Sequence, residues 1–367
     1  MRVVAEWKCD GKCEKELLSL LKVYYVTAMK YQSISRVIVV RAMLAVSVLT
    51  QARVITPEEA LERVSATVRS RSGGGILTKS VASAVHVASG DAVDPQGNPA
   101  YYVFARQGEN GYFITSADDR LRPVLAVVDT GSYDPAAFPQ QMRWMLEEYS
   151  EQAAAVAATA DEGKEHGDRM AELYAQWKSV GPLVKSKWDQ SAPYWNDCPM
   201  SGGRRCLTGC TATALAQIIR YHGYFKGQGS HIYTAANLNR ELGYTYGGHT
   251  YDWANMTDEY NEHSTAAQNA AVADLMYACG VACDMNYGPE ASGAFVSGER
   301  IISLFGYDPT TTYFRRSDYQ TPEWESLIYE EISHGRPVYY AGYNRTEGHA
   351  FVCDGYMDPG LFHINWG

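Results

Sequence analysis

Residues 206–224 read CLTGCTATALAQIIRYHGY and hold two cysteines, four positions apart, in front of a helical pattern. The pattern predicts an α-helix over 210–222 with one face in a core. Its apolar positions are Ala212, Leu215, Ala216 and Ile219. With Thr208 or Gly209 as the N-cap, Cys210 lies in the first turn, where the helix dipole and the free N–H groups lower a thiol pKa. Cys210 is therefore a candidate nucleophile, and a buried structural cysteine is the alternative.

A cysteine nucleophile needs a histidine, and the sequence contains nine. His349 follows Gly348 and begins the strand pattern HAFVCDGY, 139 residues after Cys210. This separation agrees with the roughly 130–150 residues found in papain-type enzymes. His249, in YGGHTYDW, is the rival, but it lies too close to Cys210 in sequence for that layout. His349 is thus the candidate general base and acid.

Two further groups complete a site for acyl transfer. Asn365 lies 16 residues after His349 on the next predicted strand, where its amide can hold the imidazole tautomer, and Trp366 can shield that hydrogen bond. The oxyanion needs N–H donors. The backbone of Cys210 supplies one, and the side chain of Gln190, in WDQSAPYW, is the candidate for the other. Taken singly, each of these residues is as readily explained by packing or by an exposed surface position.

Bulk composition restricts the class of protein. A length of 367 residues predicts two domains, and 46% hydrophobic with 20% charged residues is typical of a soluble globular protein. The net charge of −10 argues against a nucleic-acid partner, which needs a basic face. Eight cysteines are too few for a disulfide scaffold. Cys279 and Cys283, spaced i and i+4, favour a core or half a disulfide over a metal site, and we expect no cofactor.

The first 52 residues resemble an extended start followed by an export signal. Residues 29–52 have basic positions, a short apolar stretch from Ala42 to Leu49, and a small-x-small cleavage site ending at Ala52. The apolar stretch is too short to span a bilayer, so we expect no stable membrane insertion. Met29 is the expected start, and the location is secreted, periplasmic or at the cell surface of a bacterium.

Residues 53–180 form the next predicted domain. Thr56 caps a helix that has Pro57 in its first turn, and AYYVFARQ and GYFITSAD alternate around a turn as a hairpin does. A further strand and a helix over 138–152 follow, and an Ala- and Glu-rich helical linker ends the domain. The connector around Leu183 and Val184 is an expected site of proteolytic nicking.

The composition changes near Gly181, which we take as the boundary of a domain over 181–367. Helical patterns at 210–222, 264–279 and 322–334 are followed by three successive strand patterns near the end of the chain. This order predicts an α+β fold with an antiparallel sheet.

Five stretches resemble the streptopain (streptococcal pyrogenic exotoxin B) family of bacterial cysteine peptidases, which includes the interpain-type enzymes. They are WDQSAPYW, TGCTATALAQIIRYHGY, DMNYGPEASGA, PVYYAGYNRTEGHAFVCDGY and FHINWG. The resemblance covers about 181–367. The stretch YYVFARQGENGYFITSADDRLRPVLAVV is similar, less strongly, to the propeptide and inhibitor-like domain of the family.

This resemblance implies a papain-like catalytic domain preceded by a smaller α+β prodomain. It implies a zymogen that hydrolyses protein and peptide substrates, with its own prodomain as an intramolecular inhibitor. The motif match places the nucleophile at Cys210, the base at His349 and the oxyanion amide at Gln190. Asn365 and Trp366 fall in the orienting segment. The implied substrate-binding residues are Met285, Tyr287, Gly288, Ser292 and Gly348.

Members of the family continue beyond their Asn-Trp-Gly segment with a glycine-rich loop and closing strands, whereas this sequence stops at Gly367. We therefore expect sheet strands and one wall of the cleft to be missing. Two alternatives to an active peptidase follow. One is an inactive homologue that binds a peptidase as an inhibitor does. The other is an acyl transferase of the transglutaminase type, which the motif match disfavours.

Overall fold

A computed structural model describes residues 3–4, 54–69, 81, 83–106, 110–158, 170, 172–223, 225–343, 348–358 and 360–367. The chain divides into two compact units. The N-terminal unit ends at Trp177 and includes residues 358 and 360–361. The C-terminal unit comprises Lys178–Met357, Phe362–Gly367 and a two-residue strand, β1 (Val3–Val4). Apart from Val3 and Val4, the extension and signal peptide predicted over residues 1–52 lie outside the described residues.

Helix α1 (Pro57–Arg69) opens the N-terminal unit with the predicted cap. The Glu59 backbone N–H donates to Thr56 Oγ1 at 3.3 Å, and the Thr56 N–H donates to the Glu59 carboxylate at 2.9 Å. These two bonds satisfy donors that have no partner within the helix. The cap predicted at Thr56 is therefore confirmed.

A four-stranded antiparallel sheet carries the rest of this unit, in the order β2–β3–β4–β5. The elements are β2 (Ala84–Ser89), β3 (Tyr101–Arg106), β4 (Tyr112–Ser116), β5 (Val124–Val128) and helix α2 (Gln140–Ala157). Tyr102 and Phe104 pack in one cluster with α1, whereas Tyr101 and Val103 pack in another with Leu146 of α2. Alternate residues of β3 thus face opposite layers. The sequence predicts the β3–β4 hairpin, β5 and α2, but neither β2 nor the order of the strands.

The C-terminal unit combines helices with a five-stranded sheet in the order β10–β1–β11–β12–β13. Its helices are α3 (Cys210–His222), α4 (Ala266–Ala282), α5 (Gly298–Phe305) and α6 (Thr321–Ser333). The sheet strands after β1 are β10 (Tyr313–Phe314), β11 (Val338–Tyr343), β12 (Gly348–Met357) and β13 (Leu361–Asn365). Strand β1 pairs in parallel with β10 and β11, and β11 pairs antiparallel with β12.

Two hairpins that the sequence does not predict lie outside this sheet. They are β6 (Met200–Ser201) with β7 (Arg204–Arg205), and β8 (Ser230–Ala235) with β9 (Arg240–Thr245).

Helix α3 is buried on both sides, which corrects the prediction of a single core face. Leu215 and Ile219 belong to a core cluster with α4 residues such as Leu275. Ala214 and Ile218 belong to a second cluster that contains residues of β11 and β12. Every residue from 211 to 219 is buried. The small and threonine side chains on the second face allow the helix to lie close to the sheet.

The connector expected to be open to proteolysis is tied into the C-terminal unit. The Leu183 N–H donates to the Asp354 carbonyl at 3.0 Å, and the Val184 N–H donates to the Asp354 carboxylate at 2.6 Å. Val184 is buried, and Val180 exchanges two backbone bonds with Tyr356 of β12. A protease needs an extended, accessible backbone, so these bonds disfavour cleavage at Leu183 and Val184 themselves, whereas Lys185 and Lys187 of the same connector are exposed.

We expect Asp354→Ala to lower the free energy of unfolding by about 2–4 kcal/mol. Asp354 is fully buried, and its carboxylate also accepts a 2.7 Å bond from Nδ1 of His363. Removing it leaves buried donors without an acceptor. Urea unfolding followed by tryptophan emission measures the loss. The control is Glu262→Ala, whose side chain is 83% exposed. Equal unfolding midpoints for the two variants would show that this carboxylate does not hold the connector.

Candidate active site

Cys210 is the first residue of α3, and Gly209 before it makes the turn into the helix. Gly209 has φ = +86°, a conformation that favours glycine. A Cβ at this position would lie 2.7 Å from the Met285 sulfur and 2.9 Å from the Ser292 carbonyl oxygen. The glycine therefore lets a neighbouring loop pack directly against the helix N-terminus.

The half-buried Cys210 thiol meets opposing influences. Burial raises its pKa, and the nearby backbone N–H groups of Ala350 and Thr211 oppose the rise. Burial is the larger effect, so the predicted lowering of the thiol pKa does not hold for the resting group. Cys210 packs against the cluster that contains Ala350, and Ala350 follows His349 on β12, so the thiol lies against the strand that carries the histidine.

His349 is buried near the start of β12, opposite Gly342 of β11. Its Nε2 lies 2.8 Å from the Trp366 carbonyl oxygen. A carbonyl only accepts, so Nε2 carries the proton and Nδ1 of the neutral ring is left as an acceptor. Burial lowers the pKa of His349, and the bond to the Trp366 carbonyl opposes that shift. The Trp366 ring lies 6.0 Å from the imidazole, between centroids, and 5.1 Å from the Phe351 ring.

Asn365 binds other partners than the imidazole. Its Nδ2 donates to the Ser186 carbonyl at 2.6 Å and to Gln217 Oε1 at 3.1 Å. Its Oδ1 accepts from Gln217 Nε2 at 3.0 Å. The bond predicted from Asn365 to His349 is thus replaced by the backbone carbonyl of the next residue. Gln217 was not predicted to take part in the site, although a fully buried glutamine within an apolar helix is a signal that could have identified it.

Gln190 reaches the site through its backbone. The Gln190 carbonyl accepts from the Thr208 N–H at 3.2 Å, two residues before Cys210. Its side chain is half-buried, and the described residues offer its amide no hydrogen-bond partner. That amide is therefore available as a donor.

The predicted substrate-binding residues fall into three groups. Met285 and Tyr287 are fully buried, so in this structure neither side chain faces a cleft, and both support the 284–296 loop from within. Gly288 and Ser292 bond to each other, and the Gly288 carbonyl accepts from the Leu207 N–H at 3.1 Å. These contacts, with a 2.9 Å bond from Thr211 Oγ1 to the Ala294 carbonyl, fasten the loop to the start of α3. Gly348 is exposed.

His249 and the remaining thiols lie outside the candidate active site. His249 Nε2 lies 2.8 Å from Asp274 and 2.9 Å from the Tyr244 hydroxyl. The six cysteines of the C-terminal unit are free, and all except Cys210 are buried. In the portion of the chain with described coordinates, no group of three or more His, Cys, Asp or Glu residues is arranged to hold a metal ion. No helix there is long and apolar enough to cross a membrane.

Comparison with known proteins agrees with this geometry. The model of the Peptidase C10 family matches residues 188–367, and the Spi protease inhibitor model matches residues 52–153. Streptopain of Streptococcus pyogenes is 30% identical over 284 residues, which cover 70% of this chain and 68% of streptopain. The chain belongs to the Peptidase C10 family. The resemblance to streptopain is thereby confirmed.

Two other C10 comparisons extend the match. The thiol protease/hemagglutinin PrtT of Porphyromonas gingivalis is 31% identical over 284 residues, 73% of this chain, although the chain spans only 32% of PrtT. A fragment of Prevotella intermedia prointerpain A has 29% identity and a TM-score of 0.62, and the match covers 77% of this chain and 88% of that one. The predicted α+β class, a papain-like domain with a preceding prodomain, is confirmed.

We expect Gly209→Ala to reduce the alkylation of Cys210 by iodoacetamide and to destabilise the C-terminal unit. A positive φ alone costs about 1–3 kcal/mol for a residue with a Cβ, and this Cβ also clashes with the 284–296 loop. Gly203→Ala is the matched control, because Gly203 has φ = +79° but nothing within 4 Å of its Cβ. Peptide mass spectrometry measures the labelling. Equal effects of the two substitutions would show that the contact with the 284–296 loop is not the cause of the change.

Proposed function

We propose that this protein is a cysteine endopeptidase made as a zymogen and exported from a bacterial cell. The observation that carries the proposal is the meeting of two elements. Cys210, at the N-terminus of α3, packs against the cluster that contains Ala350, and the neighbouring His349 is held with Nδ1 free to accept a proton. Membership in the C10 family, with streptopain and PrtT as relatives, supports the same reaction class.

The reaction starts with the transfer of the Cys210 proton to Nδ1 of His349. Backbone N–H groups near the sulfur stabilise the thiolate, and the Trp366 carbonyl stabilises the imidazolium through Nε2–H. The thiolate attacks the carbonyl carbon of the scissile peptide bond. The resulting oxyanion accepts hydrogen bonds from the Cys210 backbone N–H and the Gln190 side-chain amide.

Collapse of the tetrahedral intermediate breaks the C–N bond. The leaving amine takes the proton from His349, and the acyl group remains on Cys210 as a thioester. His349 then takes a proton from water, whose oxygen attacks the thioester carbonyl. The carboxylic acid product leaves, and the proton returns to the Cys210 sulfur. In this scheme the Trp366 carbonyl orients His349 and the Trp366 ring shields it.

Residues 53–180 act as the inhibitory prodomain in this proposal. Its support is the Spi protease inhibitor match over residues 52–153 and the similarity to prointerpain A, a proenzyme by name. Removal of this segment activates the peptidase domain of 181–367. The location follows from the export signal predicted over residues 29–52, and N-terminal sequencing of the exported protein tests it.

A second function, inhibition of another peptidase, is favoured by the same inhibitor match. In that case Cys210 would have no catalytic role. A thiol-directed active-site probe separates the two functions. Labelling of Cys210 in the full chain that falls at least tenfold in His349→Ala supports the enzyme, because an unassisted buried thiol is a poor nucleophile. Equal labelling of both proteins supports the inhibitor.

Cys210→Ala is expected to abolish both caseinolysis and removal of the protein's own N-terminal unit. The substitution deletes the nucleophile, whereas Cys206→Ala removes a fully buried thiol that has no part in the reaction. Gel analysis of the purified chains over time measures both activities. Self-processing that persists in pure Cys210→Ala would exclude autocatalysis.

The acid side of the activity profile should have its midpoint below pH 6.5. Burial lowers the pKa of His349 from 6.5, so the neutral imidazole persists to lower pH than in an exposed histidine. Activity that needs this base is therefore retained as the pH falls through 6.5 and is lost only below it. The profile of kcat/KM for a fluorogenic peptide reports the combined titration of His349 and Cys210. A midpoint at or above 6.5 would contradict the role of burial.

A further inference from the structure

We propose that Gln217 is a positioning residue for this reaction. Its buried amide ties the helix that carries Cys210 to the chain segment that orients His349. This inference rests on the proposed function, since it names the residue that sets the geometry of that site.

Gln217 lies two helical turns after Cys210 on α3 and is fully buried. It forms a reciprocal pair with Asn365: Gln217 Nε2 donates to Asn365 Oδ1 at 3.0 Å, and Asn365 Nδ2 donates to Gln217 Oε1 at 3.1 Å. The same Oε1 accepts from Ser186 Oγ at 2.9 Å and, at the longer distance of 3.4 Å, from the Trp188 N–H. One side chain therefore joins three segments that are far apart in sequence.

The pair controls the carbonyl that holds the imidazole. Asn365 is followed directly by Trp366, whose carbonyl accepts a hydrogen bond from Nε2–H of His349. This bond leaves Nδ1 of His349 available to accept a proton. Because the intervening peptide is planar, only ψ of Asn365 and φ and ψ of Trp366 separate the anchored Asn365 from the Trp366 carbonyl, so the anchor limits how far that carbonyl can shift. Cys210 is fixed on the same helix as Gln217. The distance and angle between thiol and imidazole are therefore set in part through this amide.

The third segment leads to the oxyanion donor. Ser186 and Trp188, both buried and both bonded to Gln217 Oε1, immediately precede Gln190. The Gln190 carbonyl in turn accepts from Thr208, at the entry to α3. A neutral amide suits this junction because it donates and accepts at once. A carboxylate could accept but not donate to Asn365 Oδ1, and an apolar side chain would leave several buried polar groups unpaired.

The test compares wild type, Gln217→Leu and Gln217→Glu with Ile219→Val as a stability control. Ile219 is buried in the cluster on the α4 side of the same helix, and its side chain has no polar atom that could take part in the hydrogen bonds of Gln217. After processing, Gln217→Leu should lower kcat by roughly 10–100-fold with KM changed less than about twofold, because misplacement of catalytic groups affects mainly the chemical step. Gln217→Glu, which loses only the donor, should show a smaller loss. Losses no larger than that of Ile219→Val at matched thermal midpoints would overturn the inference.

A double-mutant cycle with Asn365→Ala tests whether Gln217 acts through Asn365. If Gln217 acts through Asn365, Gln217→Leu should change kcat less than about twofold in the Asn365→Ala background. Multiplicative losses from the two substitutions would overturn the route through Asn365. If Gln217→Leu does not fold, the same cycle is run with Gln217→Glu, and the same outcomes decide.

A readout that needs no peptide substrate separates this inference from the proposed function. The rate of Cys210 alkylation by iodoacetamide is measured against pH in the full chain, with His349→Ala as the reference. The Gln217→Leu profile should move from that of wild type toward that of His349→Ala. If wild type and His349→Ala coincide, the proposed function fails. If they differ and Gln217→Leu overlays wild type, only the positioning role fails.

Discussion

The burial of α3 between α4 and the sheet is the constraint on which the candidate site depends. Nine consecutive buried residues fix the axis of this helix, so its first residue, Cys210, has one position relative to β12. The Ala350 N–H can then reach the sulfur, and His349 follows from the register of β12 with β11. The helix N-terminus alone is a common feature, and its packing against the histidine strand makes it chemically useful.

Burial also determines the protonation of Cys210 and His349. It raises the pKa of the Cys210 thiol and lowers that of His349, and both shifts favour the uncharged forms. Donors around the sulfur and the Trp366 carbonyl at Nε2 favour the charged forms instead. A site with such opposed influences changes its proton distribution when a substrate alters the solvation or adds a hydrogen bond. Removal of water and placement of donors therefore act together in the proposed reaction.

The sequence predicts the principal elements because their signals are local. Helical spacing gives α3, the Thr56 and Glu59 pair gives the start of α1, and alternation gives β3 and β4. The hairpin β8–β9 and the strand β2 carry weaker alternation, and the short β1 is defined only by its partners. Cys210, His349 and Gln190 could be nominated from spacing and motif. The partners of Asn365 could not, because Gln217 and Ser186 approach it through tertiary packing that leaves no periodic trace.

The attachment of the 180–184 connector to β12 has a consequence for the order of folding. Val184 and Asp354 are 170 residues apart, and their hydrogen bond is buried. Contacts of such high sequence separation form late, because the entropy of closing the loop must be overcome first. During synthesis the N-terminal unit can complete its sheet while β12 has not yet been made. An inhibitor-like fold would then be in place before the thiol and imidazole first meet.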